Sequence, residues 1–212
     1  NTSDFFLDDL VKDLSPVTPL RQRTGMALAL SALALGTILV VSVLNIRADF
    51  AAGQPKPLPM IAAGVFLVLA LASAWTAIDM ARPAVGTRRE GWGWTALMAG
   101  VLPASALGLL ALQWSARQAV ALTWGEGECL LLGSMVGLLT AAALIFWLRR
   151  GAPSSPERAG LLTGVASGAA GIFAVSMWCP HDSVLHIGLW HGATVIGMGL
   201  AGRLIVPKLI AW

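Results

Sequence analysis

Long apolar segments separated by short polar ones are the dominant pattern along this chain of 212 residues. A helix rises about 1.5 Å per residue, so about 20 apolar residues are needed to cross the roughly 30 Å hydrocarbon layer of a bilayer. Six segments meet this requirement, and Arg203, in the last turn of the sixth, is the only charged residue in any of them. We therefore predict an all-α integral membrane bundle of six transmembrane helices. The predicted spans are 26–44, 60–78, 92–112, 129–148, 159–178 and 187–206.

The composition supports a membrane protein and excludes most soluble classes. Hydrophobic residues make up 57% of the chain and charged residues 12%, with a mean hydropathy of +0.75, whereas a soluble domain carries about a quarter charged residues. The net charge is only +3 and the basic residues form no continuous stripe, so we expect membrane lipid as the environment and no direct nucleic-acid partner. Several of the nine tryptophans, such as Trp147, lie where an apolar segment meets its polar flank, which is typical of interfacial anchoring.

Lys and Arg residues are unevenly distributed between the two sides of the predicted bundle. Only Arg47, Lys56 and Arg117 fall on one side, and the other eleven of the fourteen fall on the opposite side. By the positive-inside rule, both termini are cytoplasmic and the first, third and fifth loops face outward. The predicted organisation is a cytoplasmic N-terminal segment (1–25), a six-helix transmembrane domain (26–206) and a cytoplasmic tail (207–212).

Glycines recur every four residues in the predicted spans, as at Gly160, Gly164 and Gly168 and at Gly133 and Gly137. Small residues at this spacing let helix backbones approach closely in a membrane. The pattern predicts a compact bundle and carries no information about chemistry.

The N-terminal segment predicts a short amphipathic cytoplasmic helix. Its apolar residues recur at spacings of three and four, and two X-Pro pairs, Ser15-Pro16 and Thr18-Pro19, then end the helix. An isolated helix of about 12 residues is marginal in water, so we expect its apolar face to pack against another surface. That surface is either the bilayer or an apolar groove of a partner protein. Four aspartates in the segment favour the partner, because interfacial helices are usually basic. The apolar face comprises Phe6, Leu7, Leu10, Val11 and Leu14.

Both cysteines and all three histidines fall at the outward ends of predicted spans. Cys129 begins the fourth span, while Cys179 follows the fifth and opens a stretch of thirteen residues that also holds His181, His186 and His191. Thiolate and imidazole together are ligands for a soft or borderline metal, and Cys129, Cys179 and His186 are the first candidates. A Cys129–Cys179 disulfide and plain apolar packing are the alternatives for the cysteines, and hydrogen bonding between helices is the alternative for the histidines. His186 and His191 are five residues apart, so we expect them not to share a helical face well.

Two stretches carry a resemblance to a known family. The residues Asp13-Leu14-Ser15-Pro16-Val17-Thr18-Pro19-Leu20, the stretch 179–191 and the six-helix plan together resemble the NrsF-type anti-sigma factors. The resemblance covers essentially the whole chain. It implies a multi-pass protein of the bacterial inner membrane that holds an extracytoplasmic-function sigma factor through its cytoplasmic parts and releases it on an envelope signal.

The resemblance also implies roles for individual residues. Cys129 and Cys179 match the family's cysteine pair, which is implicated in responses to heavy metals or oxidants, and His181, His186 and His191 lie beside that pair. The signal is then either a transition or heavy metal ion or an oxidant, and no catalysis is required. A homodimer is compatible with this plan. The predicted partner-binding residues are Phe6, Leu7, Leu10, Val11, Asp13, Leu14, Pro16, Val17, Pro19 and Leu20.

Two other functions use the same residues. A heavy-metal transporter would admit an ion through the cysteines and histidines, although the predicted spans contain no acidic relay in their middle. A membrane thiol-disulfide oxidoreductase would use the cysteines as a redox pair, although the chain has no Cys-x-x-Cys motif.

Overall fold

The computed structural model describes residues 20–82, 91–115 and 127–211. These ranges are helical with short connections and contain no strand, which confirms the all-α prediction. The predicted N-terminal helix lies outside the described residues.

Apolar segments form the helices, and their bounds differ from the predicted spans by a few residues. The last helix continues past Pro207 to Ile210, so the predicted tail is mostly helical. A short helix over Ala48–Ala51 was not predicted. The helices are α1 (Gln22–Leu44), α2 (Ala48–Ala51), α3 (Pro57–Met80), α4 (Gly91–Ser115), α5 (Glu128–Leu148), α6 (Pro156–Ser176) and α7 (Val184–Ile210), the last containing a π turn over Ile187–His191.

Within the described ranges, five helices are long and apolar enough to cross a membrane, not the six predicted. They are α1, α3, α5, α6 and α7. The predicted span 92–112 lies in a helix, α4, of 25 residues.

Helix α6 lies at the centre of the bundle, and its small residues explain why. A Cβ at Gly164 would overlap the carbonyl oxygen of Met198 in α7, and one at Gly171 would overlap the carbonyl oxygen of Gly133 in α5. Nearly all of α6 is buried. This confirms the prediction that glycines at four-residue spacing pack helices closely.

At the end of the bundle away from the cysteines, α1 packs against Trp147. The Trp147 side chain is 2% exposed, so the prediction that it anchors at the interface is wrong. The absence of a side chain at Gly25 makes the room, because a Cβ there would come within 2.7 Å of the indole ring. Leu20 packs against the same apolar cluster.

Candidate functional site

The two cysteines meet at one end of the bundle, which we call the cysteine end. Cys129 lies in the first turn of α5 and Cys179 lies just after α6, in the loop 177–183 that we call the cysteine loop. Their Sγ atoms are 3.1 Å apart, and both residues are buried free thiols. The backbone N–H of Cys179 donates to the carbonyl of Val175 at 2.8 Å, which holds the cysteine close to the end of α6.

His186 reaches the cysteines from the start of α7. The Ser183 hydroxyl accepts a hydrogen bond from the backbone N–H of His186 at 3.0 Å and so caps this helix. The side chain of His186 is buried, and its Nε2 lies 3.4 Å from Cys179 Sγ.

His191 joins the same group because α7 is locally widened. The π turn over Ile187–His191 follows His186 directly, and a π turn pairs residues five apart where an α-helix pairs residues four apart. The ring centroids of His186 and His191 are consequently 5.0 Å apart. The expectation that these residues share no face is therefore wrong, because it assumed regular α-helical geometry.

Four buried residues thus converge in what we call the Cys–His cluster: Cys129, Cys179, His186 and His191. One ligand atom from each lies within 4.8 Å of those of the others. His191 is 2% exposed, and neither of its ring nitrogens has a hydrogen-bond partner among the described residues. Buried polar atoms are rarely left unpaired. Two thiols and two imidazoles form the donor set of a tetrahedral site for a metal such as zinc, so the residues present fit a metal ion.

His181 stands outside the cluster. Its ring stacks on that of His186 with centroids 4.4 Å apart, and the residue is only partly buried. On the inner side, Phe66 of α3 meets His191 edge-on at 6.0 Å. A small cavity of about 10 Å³ borders Cys179, His191 and Arg47. The four residues of the cluster are themselves buried.

Sequence reasoning missed Arg47, which lies against the cysteine loop. Its guanidinium is buried and donates to the carbonyl oxygen of Cys179 at 2.5 Å, to Asp182 at 2.6 Å and to Asp49 at 2.9 and 3.1 Å. Lys56 adds an ion pair to Asp182. A signal was present in the sequence, since Arg47 is one of the few basic residues on the predicted outward side.

These ion pairs change the ionisation of the groups around the cysteine loop. Arg47 holds the pKa of Asp49 below its usual range, and Lys56, followed by Arg47, does the same for the pKa of Asp182. Burial opposes the charge of Arg47, but the two carboxylates more than offset it and raise the pKa of the guanidinium. The Cys129 thiol lowers the pKa of Cys179 against the effect of burial, with a further contribution from His186.

Of the predicted partner-binding residues, only Leu20 is among those that the structure describes. Leu20 is partly buried and packs against the bundle near Trp147. The remaining ones lie outside the described residues: Phe6, Leu7, Leu10, Val11, Asp13, Leu14, Pro16, Val17 and Pro19.

Comparison with known proteins identifies relatives along the full length of the chain. The model of the family NrsF, described as negative regulator of sigma F, matches residues 10–212. The chain is 25% identical over 194 residues to the probable anti-sigma-F factor NrsF of Azospira oryzae, covering 90% of this chain and 89% of that protein. It is 26% identical over 221 residues to the anti-sigma-F factor NrsF of Caulobacter vibrioides, covering 99% of each. No solved structure matches the chain.

Proposed function

The chain belongs to the NrsF family, the negative regulators of sigma F, and from this premise we propose that it is a membrane switch that releases a sigma factor on an envelope signal. Its relatives are anti-sigma-F factors, which supports an anti-sigma role and a sigma factor as partner. The finer proposal is that the sigma factor is of the extracytoplasmic-function type and is held at the bacterial inner membrane. The role is regulatory and needs no catalysis.

The Cys–His cluster is the observation that supports a sensing function. It brings together, in a buried site at one end of the bundle, the only two cysteines of the chain and two of its three histidines. A transition or heavy metal ion is the signal that suits this donor set, because thiolates and imidazoles prefer soft or borderline ions. The four residues come from α5, α7 and the cysteine loop, so an ion held by all of them would change how these elements pack.

Oxidation is a second input that the same geometry favours. Cys129 and Cys179 approach with their sulfurs 3.1 Å apart, and an oxidant that accepts two electrons and two protons would join them in a disulfide. The two inputs compete, since sulfurs bonded to each other are no longer thiolate ligands. Transport is less well supported, because the cluster lies at one end of the bundle and no second group of three or more His, Cys, Asp or Glu side chains is close enough to hold an ion among the described residues.

The N-terminal segment is the proposed binding site for the sigma factor. Leu20, at its junction with the bundle, packs near Trp147, and α1 begins two residues later at Gln22. A sigma factor bound to the apolar face of this segment would therefore be attached directly to α1. Burying four apolar side chains would contribute about 6–12 kcal/mol before ordering costs.

The experiment that tests this function uses the full chain in lipid nanodiscs. Captured proteins from the source bacterium are identified by mass spectrometry, and Cd²⁺ or Zn²⁺ is then added. We expect a sigma factor to bind and to be released by the metal. We expect Leu10→Asp with Leu14→Asp to prevent capture, and Lys12→Asp, on the polar face, to leave it intact. A wild-type chain that captures no sigma factor contradicts the proposal.

A further inference from the structure

Arg47 is not part of the Cys–His cluster, yet it makes several contacts across the cysteine end. Its guanidinium donates to the carboxylate of Asp49 in α2 and to two groups of the cysteine loop, Asp182 and the carbonyl oxygen of Cys179. Its backbone N–H donates to the carbonyl of Met177 at 2.9 Å. The residue thus joins the loop after α1 to both ends of the cysteine loop.

Because of its position in the chain, Arg47 links the cysteine loop to α1. It lies three residues beyond Leu44, the end of α1, while the cysteine loop delivers Cys179 to the cluster. Helix α1, about 34 Å long at 1.5 Å per residue, continues to the other end of the bundle, where Gly25 packs on Trp147 and Leu20 leads into the N-terminal segment. A movement at Cys179 therefore has a short path to α1.

The chemistry of arginine makes this connection stiff. The guanidinium is a planar fork whose donors meet several acceptors at once, which a lysine ammonium on a flexible stem does not reproduce. Arg47 is 6% exposed, and a buried charge that loses an acceptor is costly. When the main chain at Cys179 shifts, Arg47 must follow it or be left short of an acceptor.

We infer that Arg47 is a positioning residue that connects the state of the Cys–His cluster to α1, and through α1 to the cytoplasmic segment. This inference rests on the proposed function, because it concerns how the cluster's signal leaves the cysteine end. Arg47 touches no metal ligand side chain in this role; it acts through the Cys179 carbonyl and Asp182.

Hydrogen exchange on the full chain in nanodiscs tests the connection. The amides of residues 40–47 are followed with and without Cd²⁺, and separately with diamide, which takes up two hydrogens as the two cysteine thiols form a disulfide. In the wild type we expect the exchange rate there to change about fivefold or more, the lower end of typical allosteric couplings. In Arg47→Gln we expect Cd²⁺ still to bind the cluster, measured by its thiolate absorption, without the change in exchange.

Further variants separate this role from a merely structural one. Arg47→Lys keeps the charge and should keep the protein folded while losing most of the change in exchange. Asp182→Asn, at a partly exposed site, serves if Arg47→Gln does not fold. Arg203→Gln is the matched control, because it removes an exposed arginine paired to Glu157 away from the cluster, and it should behave as the wild type.

Two results would overturn the inference. One is an Arg47→Gln variant that binds Cd²⁺ and shows the same change in exchange rate at residues 40–47 as the wild type. The other is a wild type in which neither Cd²⁺ nor diamide changes the exchange rate there. Failure of the proposed function looks different. A wild type that responds at residues 40–47 through Arg47, but neither captures nor releases a sigma factor, would leave the connection standing and remove its assigned partner.

Discussion

The rings of His186 and His191 lie 5.0 Å apart, centroid to centroid, and nearly perpendicular at 79°. The π turn between them brings about this approach, since it makes residues five apart neighbours on one face. Without it, His191 would turn away from the cysteines. π turns inside helices often mark functional sites, and here the turn completes a cluster of four ligand residues.

Metal binding should depend on His191 and not on His181. Co²⁺ is a suitable probe because tetrahedral thiolate coordination gives it a characteristic absorption. We expect His191→Ala to weaken binding by about 10-fold or more, on the scale typical of perturbed metal sites, because a buried ligand is lost. His181→Ala removes the same side chain type beside the cluster but outside it, so its Co²⁺ titration should match the wild type. Equal losses in both variants would contradict the assignment of four ligands.

The cysteine pair should be oxidised readily and within one chain. Their sulfurs are already 3.1 Å apart, so little rearrangement is needed to bring them into bonding geometry. Treatment with diamide should lower the intact mass by two hydrogens and block maleimide labelling of both thiols in the denatured protein. Pretreatment with Cd²⁺ should slow the reaction if the thiols hold the ion. Disulfide-linked dimers as the main product would contradict this prediction.

Because the helices pack closely, Gly164 of α6 should not tolerate a methyl group, whereas Gly197 of α7 should. Gly164→Ala should destabilise the bundle by about 1–3 kcal/mol, as overpacking commonly does, because its Cβ would overlap the Met198 carbonyl. Gly197→Ala is the matched control, since its Cβ would meet nothing within 4 Å. Thermal unfolding in one detergent compares the two. A loss at Gly197 as large as that at Gly164 would refute the packing argument.

Acid should weaken the ion pairs over the cysteine loop. The folded-state pKa of Asp182 is lowered by Lys56 and then Arg47, so its contribution to stability is present above the unfolded pKa of about 3.9 and is lost as pH falls through the lower folded value. Asp182→Asn should cost about 1–2 kcal/mol at pH 7. Its unfolding midpoint should approach that of the wild type as the pH is lowered below about 4.

The control for this pH series is Glu157→Gln. Its ion pair with Arg203 is exposed at both side chains, and such pairs contribute little. Its unfolding midpoint should stay close to the wild-type value from neutral to acid pH. A gap between Asp182→Asn and the wild type that stays constant down to pH 2 would show that the carboxylate charge is not what stabilises the loop.

Much of the architecture could be predicted because membrane crossing imposes a strong local rule. A long run such as Met60 to Ile78 must be helical in a bilayer, whatever its neighbours do, since no water is present to satisfy its backbone. Helix ends were less predictable. The sixth span was predicted to end at residue 206, yet α7 continues to Ile210.

The candidate site was predicted in part. Residue type and placement at predicted helix ends drew attention to Cys129, Cys179 and His186. The role of Arg47 could not be found in the same way, because its partners Cys179 and Asp182 are more than 130 residues away in the chain. Nothing local distinguishes an arginine that pairs across the bundle from one in a solvated loop.

The sequence by itself determined that the environment of this protein is a membrane, that the chain is helical and that polar residues are scarce. Each of these follows from composition and from the length of apolar runs. The tertiary structure alone decided which polar residues meet. The four residues of the Cys–His cluster come together because glycines allow α5, α6 and α7 to pack closely and because one π turn rotates His191 toward the cysteines. Which residues meet depends on which helices pack against each other and on local departures from regular geometry, and the spacing of residues along the chain specifies neither.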